Sequence, residues 1–155
     1  MLTELQYAYL AGIIDGEGHV SIDRLIRKDD KKRLRNYCYR PSVRVAQARI
    51  KLLETIQSWV GAENASISKT GRESAYWCLR FKAHWLREHL PRIAKYMILK
   101  GSHAEIFMWF LEHQNTGIGR HGAGDAVWKE RDEMYAKMRI LNAYPSLAPV
   151  KVKTQ

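Results

Sequence analysis

LAGIIDGEG, residues 10–18, is the stretch of sequence that decides the fold of this chain. It closes an apolar segment, and its two late glycines predict that a helix over residues 3–15 stops here. Asp15 and Glu17 then lie at the C-terminus of that helix, where negative charge opposes the helix dipole. A divalent cation would compensate the charge, and Mg²⁺ prefers one or two carboxylates together with phosphate oxygens and water.

The predicted helix is apolar on every side. Thr3 and Gln6 at its start have the spacing of a capping box. Ala8, Ala11 and Gly12 give it a face with almost no side chain, which lets another backbone approach closely. A helix that is apolar all round must be covered on several sides. Two interpretations stay open: a central core helix of one domain, or a helix that packs both on its own core and on a partner helix.

Two predicted hairpins and a helix extend from this first helix. The elements are strands over residues 19–28 and 37–47, a helix over residues 50–60, and a second hairpin over residues 65–81. The charged stretch Lys28–Asn36 predicts the loop of the first hairpin, and Thr70-Gly71-Arg72 predicts the turn of the second. Gly61 predicts the end of the intervening helix.

The remaining sequence is predicted to be mainly helical. Residues 83–98 have a helical pattern that Pro91 is expected to break in two. Two more helices are predicted, over residues 102–113 with Ser102 as N-cap, and from an Asp125 cap to about Leu141. A glycine-rich loop, residues 116–124, separates them. We therefore expect one domain over residues 1–145 and a loose tail over residues 146–155.

This order of elements predicts the α+β class, with one antiparallel sheet and helices on one of its faces. Within each predicted strand one parity is apolar and the other is polar. The polar parity contains Ser21, Asp23, Arg27, Arg40, Ser42, Arg44, Ser66, Ser68, Tyr76 and Arg80. A helix-free, arginine-rich sheet face favours binding in a DNA groove. The alternative is an ordinary solvated face of mixed charge.

Composition supports a polyanionic partner. The chain has 155 residues, with 26 Lys and Arg against 16 Asp and Glu, for a formal net charge of +10. Such a basic domain attracts nucleic acid or acidic membrane surfaces, although a merely soluble basic protein has the same balance. The two cysteines, Cys38 and Cys78, form no zinc or redox motif. We expect neither a signal peptide nor a membrane span. We also expect an intracellular protein, in a compartment that stays unknown.

The stretch at residues 10–18 resembles the LAGLIDADG motif of homing endonucleases, and the element order resembles the αββαββα core of that family over about residues 3–115. The resemblance implies that two motif helices pack side by side and bring their second acids together over the DNA minor groove. It implies that Glu17 binds the metal with help from the Gly16 carbonyl, while Asp15 lies at the base of the helix pair. Glu17 departs from the more common Asp at this position.

The resemblance implies further site residues. Gln47 matches a polar residue that positions water, Lys51 matches a basic residue at the start of the next helix, and Lys100 matches an active-site lysine. Such cations can stabilise charge on a phosphate. For Lys51 and Lys100 the alternative is a solvated lysine at a helix end.

A single motif supplies a single second acid per chain, whereas cutting both strands needs two acids. The resemblance therefore implies a homodimer that recognises a near-palindromic site in double-stranded DNA, with Ala8, Ala11, Gly12 and Asp15 at the interface. The implied activity is site-specific hydrolysis of both strands across the minor groove, with Mg²⁺ as cofactor and Mn²⁺ or another divalent cation able to substitute. Arginines of the sheet would read guanine edges, and the loop Lys28–Asn36 would follow phosphates.

Two alternatives to this function stay open. A maturase on the same fold would bind intron RNA and assist splicing, and such proteins can retain the acids. A non-catalytic DNA-binding regulator on the same scaffold is disfavoured because the second acid is intact. A cleavage assay on duplex DNA with Mg²⁺ separates the endonuclease from both.

Overall fold

The computed structural model describes residues 2–26, 37–71, 75–113 and 124–143. The elements within these residues are α1 (Glu4–Glu17), β1 (Gly18–Ile26), β2 (Tyr37–Gln47), α2 (Ile50–Val60), β3 (Ala65–Lys69), β4 (Trp77–Phe81), α3 (Ala83–Ala94), α4 (Gly101–His113) and α5 (Asp125–Ala143). This order confirms the α+β class and the helix–hairpin–helix–hairpin arrangement that the sequence predicts.

The four strands form one antiparallel sheet in the order β1-β2-β4-β3. Gly18 pairs with Val45 where β1 begins, and Val45 pairs in turn with Leu79 of β4. Residues that pair directly across strands share a sheet face. The register therefore assigns every strand residue to one of two faces without further assumption.

One face of the sheet carries the core. Its fully or almost fully buried residues are Val20, Ile22, Val43, Val45, Ala65, Leu79 and Phe81. They form one cluster with buried side chains of all five helices, including Tyr7 of α1 and Phe107 of α4. The other face is formed by the polar parity of the strands and is mostly exposed.

The helix α1 begins as predicted and extends two residues further. Thr3 is its N-cap, and both hydrogen bonds of a capping box with Gln6 are present. The C-cap is Gly18, whose N–H reaches back to the carbonyls of Ile13 and Ile14. A Cβ atom at Gly18 would lie 2.6 Å from the Cα atom and the carbonyl oxygen of Ile14, so only glycine fits this tight turn from helix into strand.

The prediction that Pro91 breaks its helix is wrong, because α3 runs through Pro91 to Ala94. Pro91 is exposed, and so is Arg87 one turn before it, so the carbonyl that loses its usual donor lies on the solvent side of the helix. The predicted continuation to residue 98 is also wrong. Asp15 accepts the backbone N–H groups of residues 98–100, which removes them from helical pairing.

The predicted caps of the last two helices also need correction. The first hydrogen bonds of α4 and α5 are accepted by the carbonyls of Lys100 and Gly124. Ser102 is therefore the second residue of α4 rather than its N-cap, and Asp125 is the first residue of α5. Asp125 still lies in the first turn, where its negative charge favours the helix dipole.

The helix α5 packs along the exposed edge of the sheet. Asp132 accepts hydrogen bonds from the hydroxyl groups of Tyr37 and Tyr39 at the start of β2. At the other end of α5, the side chain of Asn142 donates to the carbonyl of Val20 at 3.2 Å. Because β1 is an edge strand, the contact of Asn142 occupies one backbone carbonyl that would otherwise be open to another strand.

Several predicted features lie outside the described residues: Arg27, the loop Lys28–Asn36, Arg72 of the second turn, most of the glycine-rich loop, and the tail from residue 146. Among the described helices, none combines the length and the apolar character that crossing a bilayer requires.

We predict that Gly18→Ala lowers the free energy of unfolding by about 1–3 kcal/mol, because the new methyl group would press on the backbone of Ile14. Urea denaturation followed by circular dichroism measures the change. Gly16→Ala is the matched control, since a Cβ atom there meets nothing within 4 Å. Equal stability of the Gly18→Ala protein and the wild type would contradict the assigned turn.

Candidate active site

Of the two acids at the end of α1, Glu17 is exposed, whereas Asp15 contacts the segment that leads into α4. Glu17 is the last residue of α1 and is exposed, as is Gly16 before it. A Cβ atom at Gly16 would meet nothing within 4 Å, so the space around its backbone is open. Residues Gly16 and Glu17 are thus both exposed at the end of α1.

Asp15 binds the segment that leads into α4. Its carboxylate accepts hydrogen bonds from the backbone N–H groups of Ile98 at 2.6 Å, Leu99 at 3.2 Å and Lys100 at 2.9 Å. These N–H groups precede the first turn of α4 and would otherwise lack an intrahelical partner. Asp15 therefore has a structural role within the protomer.

Lys100 returns the contact to α1. Its Nζ atom donates to the carbonyl oxygen of Ile14 at 2.8 Å and to that of Asp15. These carbonyls belong to the last turn of α1, where a cation is favoured. We call the reciprocal contacts of Asp15 and Lys100 the α1–α4 clasp.

The clasp keeps Lys100 half-buried beside two acids. Burial lowers the pKa of the Lys100 ammonium below its ordinary value, while the negative charges of Asp15 and Glu17 act in the opposite direction. Glu17 is thus close enough to Lys100 to influence its charge. The structure brings together Glu17 and Lys100, which the sequence predicts as parts of one site.

Gln47 and Lys51 lie near the end of α1 without touching Glu17. Gly18 pairs with Val45, and the antiparallel register carries Gln47 two residues further, to the level of the α1 terminus. Lys51 is exposed in the first turn of α2. Within the described parts of the chain, no hydrogen bond or ion pair joins either side chain to Glu17.

The mostly exposed sheet face contains the predicted polar set, as the register shows. His19, Arg44, Arg80 and Ser66 form one row across all four strands. Asp23 and Arg40 form a second row on β1 and β2, and Ser68 lies on β3 next to Cys78. Tyr76 just precedes β4, and its carbonyl accepts the N–H of Thr70, which extends the same pairing. We call this surface the open face.

Ser21 and Ser42 need a correction. They pair with each other on the open face, but only 6% and 3% of their surfaces are exposed. The Ser42 hydroxyl is buried without a hydrogen-bond partner among the described residues. Both short side chains lie between longer neighbours of the same face, so they cannot offer the direct contact that the sequence predicts for them.

A second correction concerns the outer surface of α1. Ala11 is fully buried in the core of its own protomer, so it cannot offer an interface contact, whereas the interface role of Asp15 stays a prediction beside its contacts in the clasp. The residues that α1 turns outward are Leu5, Ala8, Tyr9, Gly12 and Gly16, of which Leu5 is 83% exposed. These positions follow helical spacing on the side opposite the buried stripe. The outer face of α1 is therefore apolar and has little side-chain bulk.

The comparisons with known proteins agree with this geometry. A family model described as LAGLIDADG endonuclease matches residues 10–112. The chain belongs to the LAGLIDADG endonuclease family. No curated protein shows significant similarity to its sequence.

Solved structures of homing endonucleases share the fold. The enzyme I-CvuI, in complex with its target in the presence of Ca, is 22% identical with a TM-score of 0.72, over 89% of this chain and 82% of that one. The archaeal intron-encoded I-Vdi141I, complexed with DNA, is 15% identical with a TM-score of 0.74, over 97% and 90%. The group I intron-encoded I-CeuI is 19% identical with a TM-score of 0.69, over 90% and 68%.

The donor set at the α1 terminus fits a shared cation and not a site enclosed by one chain. Among the described residues, no three His, Cys, Asp or Glu side chains come together as a metal site. The exposed end of α1 offers the carboxylate of Glu17 and the backbone of the exposed Gly16. Oxygen ligands of this kind suit Mg²⁺ or Ca²⁺, with the remaining positions left to substrate, water or a second protomer.

His103 lies near Lys100, and the sequence gives no signal for this position. It lies one turn after Lys100 on α4, is 3% exposed, and has its Nδ1 atom buried without a partner in the described part of the chain. Burial lowers its pKa, and the Lys100 charge lowers it further, while a hydrogen bond to the Leu141 backbone opposes the shift. The lowered pKa favours the uncharged form of the His103 ring.

We predict that Asp15→Asn lowers the free energy of unfolding by about 1–3 kcal/mol, because a charged acceptor of three N–H groups is replaced by a neutral one. Urea denaturation measures the loss. Glu17→Gln makes the same chemical change two residues later, where no described residue donates a hydrogen bond, and should shift stability by less than about 0.5 kcal/mol. Equal effects of both variants would contradict the clasp.

Proposed function

We propose that this protein is a site-specific endonuclease that hydrolyses both strands of duplex DNA as a homodimer. The observation that carries the proposal is the exposed Glu17 carboxylate at the end of a helix whose outer face is apolar and open. One chain then supplies half of a catalytic centre and the surface on which the other half can dock. The DNA-bound structures of I-CvuI and I-Vdi141I support this reading of the shared fold.

Glu17 and the Gly16 carbonyl would hold a divalent cation between protein and phosphate. When bound, such a cation neutralises charge on the scissile phosphate and lowers the pKa of a coordinated water. Mg²⁺ is the favoured occupant because all donors are oxygen, and Mn²⁺ can replace it. A solved structure of I-CvuI with a target DNA was obtained in the presence of Mg, with the DNA not cleaved.

The other predicted site residues would act on the phosphate and its surroundings. The Lys100 ammonium is held at the end of α1, where it can stabilise charge that develops on a phosphate oxygen. Gln47 reaches the same level of the sheet and can orient a water molecule. Lys51 is exposed at the start of α2 and can contact the DNA backbone.

The open face would bind the major groove on each side of the cut. It combines His19, Arg40, Arg44 and Arg80 with the exposed Ser66, Ser68 and Tyr76. Arginine is the side chain best suited to guanine edges and phosphates. The formal net charge of +10 adds affinity that does not depend on sequence.

The outer face of α1 would contact the same face of a second copy. Leu5 and Tyr9 expose apolar surface, and Gly12 has open space where a side chain would be, so nothing in the protomer requires a residue this small. Close approach of two α1 helices would bury this surface and place the two Glu17 carboxylates near a two-fold axis. The target would then be palindromic or nearly so.

We predict that Glu17→Gln reduces cleavage of a target duplex by roughly 100-fold or more, while binding changes little. Measuring cut product with Mg²⁺, and complex formation by gel shift without it, separates the two effects. The wild-type protein must first cut a duplex chosen from a random library. If the wild type binds RNA but cuts no duplex, the maturase is the better assignment.

We predict that Gly12→Leu prevents dimer formation without lowering the stability of the protomer, because the added side chain projects from the outer face of α1. Analytical ultracentrifugation measures the assembly, and thermal denaturation measures the stability. Ala136→Leu, an equal enlargement on the exposed side of α5, is the control and should leave a dimer. A monomeric wild-type protein would refute this interface.

A further inference from the structure

The open face contains a single acid among its described strand residues, Asp23. It lies directly opposite Arg40, and one Asp23 oxygen is 3.6 Å from an Arg40 nitrogen. The other Asp23 oxygen is 3.4 Å from the Ser21 hydroxyl. Acid and guanidinium thus form a fixed neighbouring pair in a surface that is otherwise basic or neutral.

An acid is unfavourable on a surface that meets phosphates, because like charges repel. It becomes favourable where it faces a hydrogen-bond donor of the DNA. In the major groove those donors are the amino groups of cytosine and adenine. A DNA base pair that matches Asp23 and its neighbouring arginine would therefore offer acceptors and a donor next to each other.

A G·C base pair has this pattern in the major groove. Guanine presents two acceptors, N7 and O6, and the adjacent cytosine presents an N4 amino donor. Arginine pairs with the two guanine acceptors, and aspartate accepts from the cytosine amino group. An A·T pair instead presents one acceptor, one donor, one acceptor and a methyl group, which does not match.

We infer that Asp23 and Arg40 together read one G·C base pair in each half of the target site. The inference rests on the proposed function and adds to it a specific base pair and its orientation.

The contacts within the pair leave both groups able to bind. A guanidinium has five N–H donors, and Arg40 uses one nitrogen toward Asp23, while its side chain remains 52% exposed. Asp23 is 28% exposed, and each carboxylate oxygen can accept more than one hydrogen bond. The ion pair holds the two side chains side by side, which lowers the entropy lost when they meet a base pair.

Binding selection from a duplex library with a randomised palindromic site tests the inference. The protein is incubated in EDTA, so that cleavage does not deplete the bound DNA, and the retained duplexes are sequenced. For the wild type we expect one symmetric pair of positions at which G·C is enriched roughly 10- to 100-fold over other base pairs. Asp23→Ala and Arg40→Ala should each relax preference at those positions alone.

The exchange variant, Asp23→Arg with Arg40→Asp, gives the sharpest result. It keeps the ion pair and the net charge but reverses the order of donors and acceptor, so the preferred base pair should change from G·C to C·G. Lys129→Ala removes one positive charge from the exposed surface of α5 and is the control, with base preferences unchanged. Thermal denaturation establishes that each variant is folded. If the exchange variant does not fold, the two single variants alone test the inference.

Two results would contradict the inference that Asp23 and Arg40 recognise one base pair together. Asp23→Ala with unaltered preferences at every position would show that Asp23 reads no base. An Arg40→Ala protein weakened equally on all sequences would make Arg40 a phosphate contact. Failure of duplex recognition looks different, because then the wild type enriches no duplex sequence at all, and failure of the nuclease activity appears separately, as wild-type protein that cuts no selected duplex with Mg²⁺.

Discussion

The α1–α4 clasp is the interaction on which the geometry of the site depends. A helix C-terminus has carbonyls without donors, and a helix N-terminus has N–H groups without acceptors. Here Lys100 donates to the carbonyls of α1, and Asp15 accepts the N–H groups that lead into α4. Each helix thereby supplies the charged group that the other helix end requires. The first motif acid is used within the protomer, and Glu17 is the motif acid that remains accessible.

Because the clasp fixes the end of α1, it also fixes the start of β1. Gly18 is both the C-cap of the helix and the first residue of the strand, with no space for a side chain. The position of Glu17 and the origin of the sheet register are therefore set by the same turn. A change at this turn would therefore move Glu17 and the open face together.

Sequence patterns predicted the features that follow from periodicity. A strand alternates strictly, so the parity of Asp23, Arg44 and Arg80 was enough to place them on one face before any pairing was known. The capping box at Thr3 is local in the same sense, since its hydrogen bonds span three residues. These predictions needed no information about distant parts of the chain.

The predictions that failed depend on contacts between distant residues. Asp15 binds backbone more than eighty residues away, at the segment where the predicted helix over residues 83–98 has already ended. Ala11 is as small as Ala8, yet the tilt of α1 on its core buries one fully and leaves the other half-exposed. Ser42 has the right parity, but the length of its neighbours determines its accessibility. Helix orientation and neighbour size are tertiary properties, which the spacing of residues does not contain.

On the open face, general affinity for DNA and discrimination between base pairs would favour different charges. Affinity for DNA rises with every positive charge and is reduced by salt, but it does not distinguish one sequence from another. Discrimination between base pairs requires hydrogen-bond acceptors as well as donors. An acid such as Asp23 would therefore reduce the general attraction to DNA while adding an acceptor that only some base pairs match. Its ion pair with Arg40 limits the repulsion, because the local charge of the two side chains is close to zero. Under the proposed function, a basic face with one neutralised pair would bind DNA broadly through its other arginines and would still reject a wrong base pair at one position of each half-site.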